Sequence, residues 1–259
     1  MLRYLTGGES HGKGMTAILE GVPSGLFLKE GDVDKELARR QKGYGRGGRM
    51  AIEKDRVEIT SGVRWEKTLG SPITMIVANL DWDNWKEIMA VAGCRMPDAE
   101  YQDVTRPRPG HADLTGAIKY NQRDVRNILE RSSARETAAR VAVGAVCKRL
   151  LDEFGVKVMS WVVEIGGVKI GSKFKIQNSK LEDTFYKAEN SVVRCPGKKT
   201  EKLMIEKIDE VKERGDSVGG IFEMVVTGLP PGLGSHVHWD RKLDGRLAQA
   251  VMSIQAIKG

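Results

Sequence analysis

Residues 133–154, SARETAARVAVGAVCKRLLDEF, carry the strongest periodic signal in the chain. Ala134, Ala138, Val141, Ala142 and Ala145 recur at near-helical spacing. Ala139, Val143, Val146 and Leu150 form a second apolar stripe beside them. The spacing predicts one helix from about Ser133 to about Phe154. Ser133-Ala134-Arg135-Glu136 has the form of a capping box, and Gly155 stands where a C-terminal cap belongs. A helix that is apolar on two faces and lined with small residues, Gly144 among them, is expected to be buried and closely packed.

Strand signals flank this helix. Val156–Ile165 alternates in part downstream. Upstream, Met15–Glu20 reads as a strand ending at Gly21-Val22-Pro23, and Val57–Val63 and Ile73–Ala78 read as two more. Asp32–Gln41 has helical spacing, with Val33, Leu37 and Ala38 on one face. Arg39–Arg49 is a basic, glycine-rich loop, and Asp81–Pro109 is polar and irregular. Lys169–Glu213 is lysine-rich and reads as an exposed excursion containing a helix near Glu201–Arg214. One internal echo stands out. Gly21-Val22-Pro23-Ser24-Gly25-Leu26 follows a strand, and Gly228-Leu229-Pro230-Pro231-Gly232-Leu233 follows the strand-like Gly220–Thr227. Similar DxxLA segments come after each, Asp34–Ala38 and Asp244–Ala248. A strand-turn-helix unit used twice in one pseudo-symmetric domain fits this pattern.

With 259 residues, 40% of them hydrophobic, the chain is long enough for a substantial core. Lys and Arg number 42 against 35 Asp and Glu, a net charge of +7, which predicts an anionic partner. Aromatics are 6%, too few for a base-stacking surface. Cys94, Cys147 and Cys195 are widely spaced and odd in number, so a reduced, cytoplasmic setting is expected rather than a disulfide framework. No run approaches the roughly 18 apolar residues of a membrane helix.

Two of the four histidines lie in glycine-containing, charged turns: Gly8-Glu9-Ser10-His11-Gly12-Lys13-Gly14 and Arg106-Pro107-Arg108-Pro109-Gly110-His111-Ala112-Asp113. Imidazole moves protons near neutral pH, and a nearby carboxylate or phosphate favours its charged form. The plainer reading is two structural histidines in turns. Arginines cluster beside these turns and elsewhere: Arg39, Arg40, Arg46 and Arg49 in one loop, Arg106 and Arg108 before His111, Arg131 and Arg135 around Ser132-Ser133. The planar guanidinium suits phosphate and carboxylate, and a helix starting at Ser133 would add free N–H groups. Gly43–Gly48 fits GxGxxG only as a string, since a helix rather than a strand precedes it. His236-Val237-His238 has no third Cys or His nearby, so no metal is expected. Cys147 lies on the predicted buried helix and reads as a core residue.

Taken together, these runs resemble the chorismate synthase family. The resemblance rests on Gly8–Gly12 with Met15–Pro23, on Arg40–Arg49 with Glu53-Lys54-Asp55 and Ser61-Gly62-Val63, and on Arg106–Asp113. It continues through Glu130–Gly144, Gly215–Gly220 and Ser253–Gly259. It implies an α+β fold: a single domain over residues 1–259, a β-α-β sandwich with helices between antiparallel sheets and a pseudo-two-fold core, assembled as a homotetramer. It also implies a carbon–oxygen lyase that converts 5-enolpyruvylshikimate 3-phosphate to chorismate and phosphate by anti-1,4-elimination, with reduced FMN. By resemblance, His111 keeps the reduced flavin suitably protonated, His11 protonates the leaving phosphate, and Ser10 orients flavin or substrate. Arg40, Arg46, Arg131, Ser132, Ser133, Gln255 and Ala256 match cofactor-binding positions, with NADPH a further candidate ligand at Arg40 and Arg46. Arg49 and Arg135 are the substrate-binding candidates. Neither nucleic acid nor a membrane is expected as a partner. Family members continue past the position of Gly259 with a glycine-rich FMN loop, a Lys-Pro-Thr segment and an Arg-x-Asp block. Two other readings are an NADPH-dependent flavin reductase and an RNA-binding protein using Arg39–Arg49.

Overall fold

The structure, a computed structural model, describes residues 2–45, 54–92, 103–171 and 180–259. In chain order the strands are β1 (Arg3–Gly7), β2 (Gly14–Glu20), β3 (Val57–Ser61), β4 (Val63–Arg64), β5 (Lys67–Thr68), β6 (Ile73–Ala78), β7 (Lys157–Ile165), β8 (Val168–Lys169) and β9 (Gly220–Thr227). The helices are α1 (Glu30–Gln41), α2 (Asp113–Tyr120), α3 (Arg126–Ser132), α4 (Thr137–Asp152), α5 (Leu181–Glu189), α6 (Lys198–Glu213) and α7 (Leu243–Met252). Single 3₁₀ turns occupy Trp82–Asn84, Ala134–Glu136 and Trp239–Arg241. The class is α+β, and both main sheets are antiparallel throughout. Contacts gather the chain into two compact units. One comprises Met1–Arg40, Ala51–Leu150 and Pro231–Gly259, the other Gln41–Met50 and Leu151–Pro230.

The first unit is built on a four-stranded sheet in the order β1-β2-β6-β3. Strand side chains alternate between faces, and the sequence obeys that period. Met15, Ala17 and Leu19 are buried on β2, and Ile73, Met75 and Val77 on β6. The register pairs them directly: Met15 with Val77, Ala17 with Met75, Leu19 with Ile73. A one-residue slip would turn this whole set to the opposite face, so the pairing is strongly specified. The same core takes in Val33 and Leu37 of α1 and Ala138, Ala139, Ala142, Val143, Ala145 and Val146 of α4. Each of the larger side chains contributes roughly 1.5–3 kcal/mol by leaving water.

The second unit carries the sheet β8-β7-β9 with α5 and α6. Met159 and Trp161 of β7 pack with Leu181 and Ala188, and Val193, Cys195 and Met204 form an adjoining cluster. The lysine-rich stretch is therefore no mere exposed excursion. Its helices supply Leu181, Ala188 and Met204 to this core, with Ala188 and Met204 fully buried. Each helix is amphipathic, so a high lysine count records the outer face and hides the apolar stripe.

Four further expectations change. The long helix does not start at Ser133. Ser133 caps the 3₁₀ turn through a bond from the Arg135 N–H, and α4 starts only at Thr137. The capping box is not reciprocal, because the Glu136 carboxylate is engaged by Thr6, Arg140 and Gln255 instead. Gly144 is not at a close contact, since a Cβ there would meet nothing within 4 Å. Ala38 is exposed rather than part of the α1 core face. The strand β1 and the short helices α2 and α3 were not foreseen; β1 is almost entirely exposed, so no alternation marks it. The internal echo has a backbone counterpart. Gly21 and Gly25 adopt φ of 92° and 89°, and Gly228 and Gly232 adopt 77° and 94°. The helices that follow differ, because α1 buries Val33 and Leu37 whereas α7 buries nothing.

Candidate active site

The segment between β1 and β2 makes a turn that only glycine permits. Gly8 has φ of 105°, and a Cβ there would lie 2.3 Å from the Gly14 carbonyl oxygen. The turn is held from two sides. Asn79, just after β6, donates its amide to the Gly12 carbonyl at 2.9 Å, and its N–H donates to the Lys13 carbonyl. From α3, the Glu130 carbonyl accepts the Ser10 N–H at 3.0 Å, and the Glu130 carboxylate accepts the His11 N–H at 2.8 Å. The His11 ring is bound by that carboxylate as well, with Nδ1 2.9 Å from both oxygens. Trp85 lies against the imidazole with ring centroids 3.9 Å apart.

His111 is held in the same chemical manner by a different route. Its Nδ1 hydrogen-bonds the Asp113 carboxylate, two residues on. The other Asp113 oxygen accepts the Arg108 N–H at 3.0 Å. Asp113 and Glu130 are both buried. Burial on its own pushes each carboxyl up. At Asp113 the Arg108 N–H and His111 outweigh it; at Glu130 the His11 ring, the His11 N–H and Arg126 do. Both carboxyls end below the usual range and stay ionised near neutral pH. Each site is thus an imidazole backed by a buried carboxylate on Nδ1. Nε2 has no partner on either ring among the described residues, and no hydrogen bond or ring contact joins the two.

The arginine positions sort differently. Arg135 is buried and makes a two-pronged ion pair with Asp55, at 2.6 and 2.7 Å. Arg40 also reaches Asp55, at 3.6 Å, and donates to Thr137 Oγ1 and the Ala134 carbonyl. Two guanidinium groups therefore share one carboxylate at the head of α4. Arg131 donates to the Thr6 carbonyl and hydroxyl and the Gly8 carbonyl, tying α3 to the His11 turn. Ser132 donates to the Ile128 carbonyl in its own helix. Ser133 Oγ donates to the buried Ser10 hydroxyl at 3.1 Å. Gln255 donates to Glu136, while its Oε1 is buried with no hydrogen-bond partner. Ala256 adopts φ of 70°. Arg46 and Arg49 lie outside the described residues. The structure thus gathers Ser10, His11, Arg131 and Ser133 around one turn, links Arg40 to Arg135 through Asp55, and sets His111 on its own turn.

Glu130, Asp113, Asp55, Asn79 and Trp85 received no role from the sequence. Only Asp113 offered a local signal, through its spacing from His111. Elsewhere, Cys147 packs against the first core, and burial pushes its thiol and that of Cys195 up, as suits inert core residues. No helix among the described residues is long and apolar enough to cross a membrane.

Known proteins resemble this chain along its whole length. A family model described as chorismate synthase matches residues 2–259. Chorismate synthase of Aquifex aeolicus (strain VF5) is 60% identical over all of this chain and 65% of its own length. That of Geobacillus sp. (strain WCH70) is 57% identical, over all of this chain and 66% of its own. A solved structure titled as the crystal structure of chorismate synthase superposes with a TM-score of 0.82 at 51% identity, covering this whole chain and 67% of that one. The chain spans about 65% of the length of the curated relatives it matches. On the family match and these identities, the chain belongs to the chorismate synthase family.

Proposed function

We propose that this chain carries the residues of a lyase that eliminates phosphate from 5-enolpyruvylshikimate 3-phosphate to give chorismate. The observation that carries the reading is the pair of carboxylate-backed histidines, both with Nε2 unengaged, in a chain that also gathers Arg40 and Arg135 on Asp55 and Arg126 on Glu130. In a 1,4-elimination a C–O bond to phosphate breaks at one end of an allylic system and a C–H bond at the other, leaving a conjugated diene. The departing phosphate needs positive charge and a proton. His11 supplies the proton from Nε2 while Glu130 holds Nδ1. Arg40 adds positive charge beside Asp55 and Arg135, and Ser10 and Ser133 orient bound groups through their shared hydroxyl bond.

The donor set also suits FMN. The buried Gln255 Oε1 is an acceptor without a partner, fit for a ring N–H or a ribityl O–H, and Arg131 holds the same turn that bears Ser10, through the Thr6 and Gly8 carbonyls. Arg131, Ser132, Ser133, Gln255 and Ala256 would hold the cofactor, Arg46 would serve it or NADPH, and Arg49 would hold substrate, while Arg135, buried against Asp55, would steady the carboxylate it shares with Arg40. Reduced FMN, when bound, supplies electron density as phosphate leaves. His111, backed by Asp113, holds or passes a proton at Nε2. A cytoplasmic homotetramer belongs to the same proposal.

The test is an anaerobic assay with mass-verified protein, dithionite-reduced FMN and 5-enolpyruvylshikimate 3-phosphate, following chorismate by absorbance. Chorismate formation that requires reduced FMN, and drops by orders of magnitude when His11 and His111 are both changed to Ala, is the expected result. Turnover unaffected in that double variant would remove the roles given to both histidines.

A further inference from the structure

Glu130 touches His11 three times: its carboxylate accepts the backbone N–H at 2.8 Å, and both oxygens lie 2.9 Å from Nδ1. Its side chain is only 1% exposed, against 21% for His11. We propose that Glu130 is a positioning residue that commits Nδ1 of His11 as a donor and makes Nε2 the one nitrogen of that ring able to exchange a proton with a ligand. The inference rests on the reading that His11 gives its proton to the leaving phosphate, and extends it to the group that sets which nitrogen does so.

The chemistry follows from the acceptor. An ionised carboxylate has lone pairs and no proton, so the nitrogen facing it must carry the hydrogen. The neutral ring is therefore held as the Nδ1–H tautomer, with the Nε2 lone pair outward. When the ring is protonated, Nε2–H is the proton left to give. Because the same carboxylate clamps the backbone N–H, the ring and the turn that bears it cannot shift separately. Trp85 closes one face of the imidazole at 3.9 Å and restricts its rotation. Arg126 stands 3.6 Å from Glu130, with its guanidinium carbon 5.4 Å from the Trp85 ring centroid, so the carboxylate has a fixed cation beside it that favours its ionised form. Removing Glu130 would leave the imidazole in place but free to exchange tautomers.

The experiment is nitrogen-15 NMR of the histidine rings in the 259-residue chain near neutral pH, with His11 assigned by its loss in His11→Gln. The expected result is a His11 ring protonated at Nδ1 in the parent and a mixture of tautomers in Glu130→Gln, whose amide can accept from or donate to Nδ1, and in Glu130→Ala. The His111 signals should not move. An Nε2–H ring in the parent, or an unchanged tautomer in a folded Glu130→Gln, overturns the proposal. Circular dichroism establishes folding, and should both variants fail to fold, the parent spectrum alone decides. In a preparation that turns over, Glu130→Gln should lower kcat at least about tenfold with KM little changed, since a ring in the wrong tautomer loses rate rather than binding. Absence of turnover in the parent would count against the lyase reading and leave the tautomer result to stand or fall by itself.

Discussion

The two histidine turns reach the same chemistry by opposite routes. His111 is backed by a carboxylate two residues away on its own chain segment, which also caps its turn through the Arg108 N–H. His11 is backed by a carboxylate 119 residues away, on a helix that must first dock against the N-terminal hairpin. A local pair forms wherever its turn forms. A distant pair exists only when the sheet, α3 and the turn are all in place. One imidazole is thus set by local geometry, the other by the whole fold of the first unit.

The sharpest break compares the two rings directly. His11→Ala and His111→Ala should each lower kcat by about 10²- to 10⁴-fold in an anaerobic assay with reduced FMN. Equal, small losses would mean that neither ring exchanges a proton in the slow step. Next in size is a distant tie at the same helix junction. Asp55 and Arg135, 80 residues apart, expose 1% and 4% of their side chains. Asp55→Ala leaves a buried guanidinium without its carboxylate, and should cost about 3–5 kcal/mol in urea unfolding. If distant ties set only the His11 side, its ring signals should shift in this variant while those of His111 stay. Movement of both would break the comparison.

How far the sequence could be read follows the same divide. The β2 and β6 strands, α1 and the body of α4 were legible because alternation and helical period are local properties of 6 to 16 residues. Both histidine turns were legible from glycine and charge. What composition concealed was cooperative. The stretch from Lys169 onward looked exposed because its lysines outnumber the apolar positions of α5 and α6 that build a core. Ser133 looked like the start of a long helix, but Glu136 is drawn into bonds with Thr6 and Gln255, so the chain takes a 3₁₀ turn first. Glu130 and Asp55 carry no local sign of the partners they meet, because those partners lie 119 and 80 residues away.

A smaller effect separates the two turns by their glycines. Both Gly8 and Gly110 have positive φ, 105° and 70°. A Cβ at Gly8 would collide with the Gly14 carbonyl at 2.3 Å, whereas one at Gly110 meets nothing within 4 Å. Gly110→Ala should cost about 1–2 kcal/mol, the usual penalty of left-handed backbone alone. Gly8→Ala adds displacement of a β-hairpin strand, and should exceed it by about 1 kcal/mol or more. Equal losses by urea unfolding would show that the His11 turn is no more tightly fixed than its counterpart.

The smallest effect lies in acid stability. Folding lowers both buried carboxyls: burial raises each, and hydrogen bonds and positive charge more than offset it. A carboxyl lowered by folding contributes stability that is fully present above its ordinary value, about 4, and is lost as pH falls through its folded value. At Glu130 the largest lowering contribution is the His11 ring, whereas at Asp113 it is the Arg108 N–H, which remains when His111 is replaced. His11→Gln should therefore weaken the protein by about 1 kcal/mol at pH 5, a gap that narrows toward pH 3 as Glu130 takes up its proton. His111→Gln should show the same narrowing with a smaller gap, because its carboxylate keeps the backbone donor. Urea unfolding of both variants and the parent at the two pH values measures this. Gaps of equal size would show that the local N–H does not replace what the distant ring supplies, and a gap that widens on acidification would reverse the sign assigned to both carboxyls.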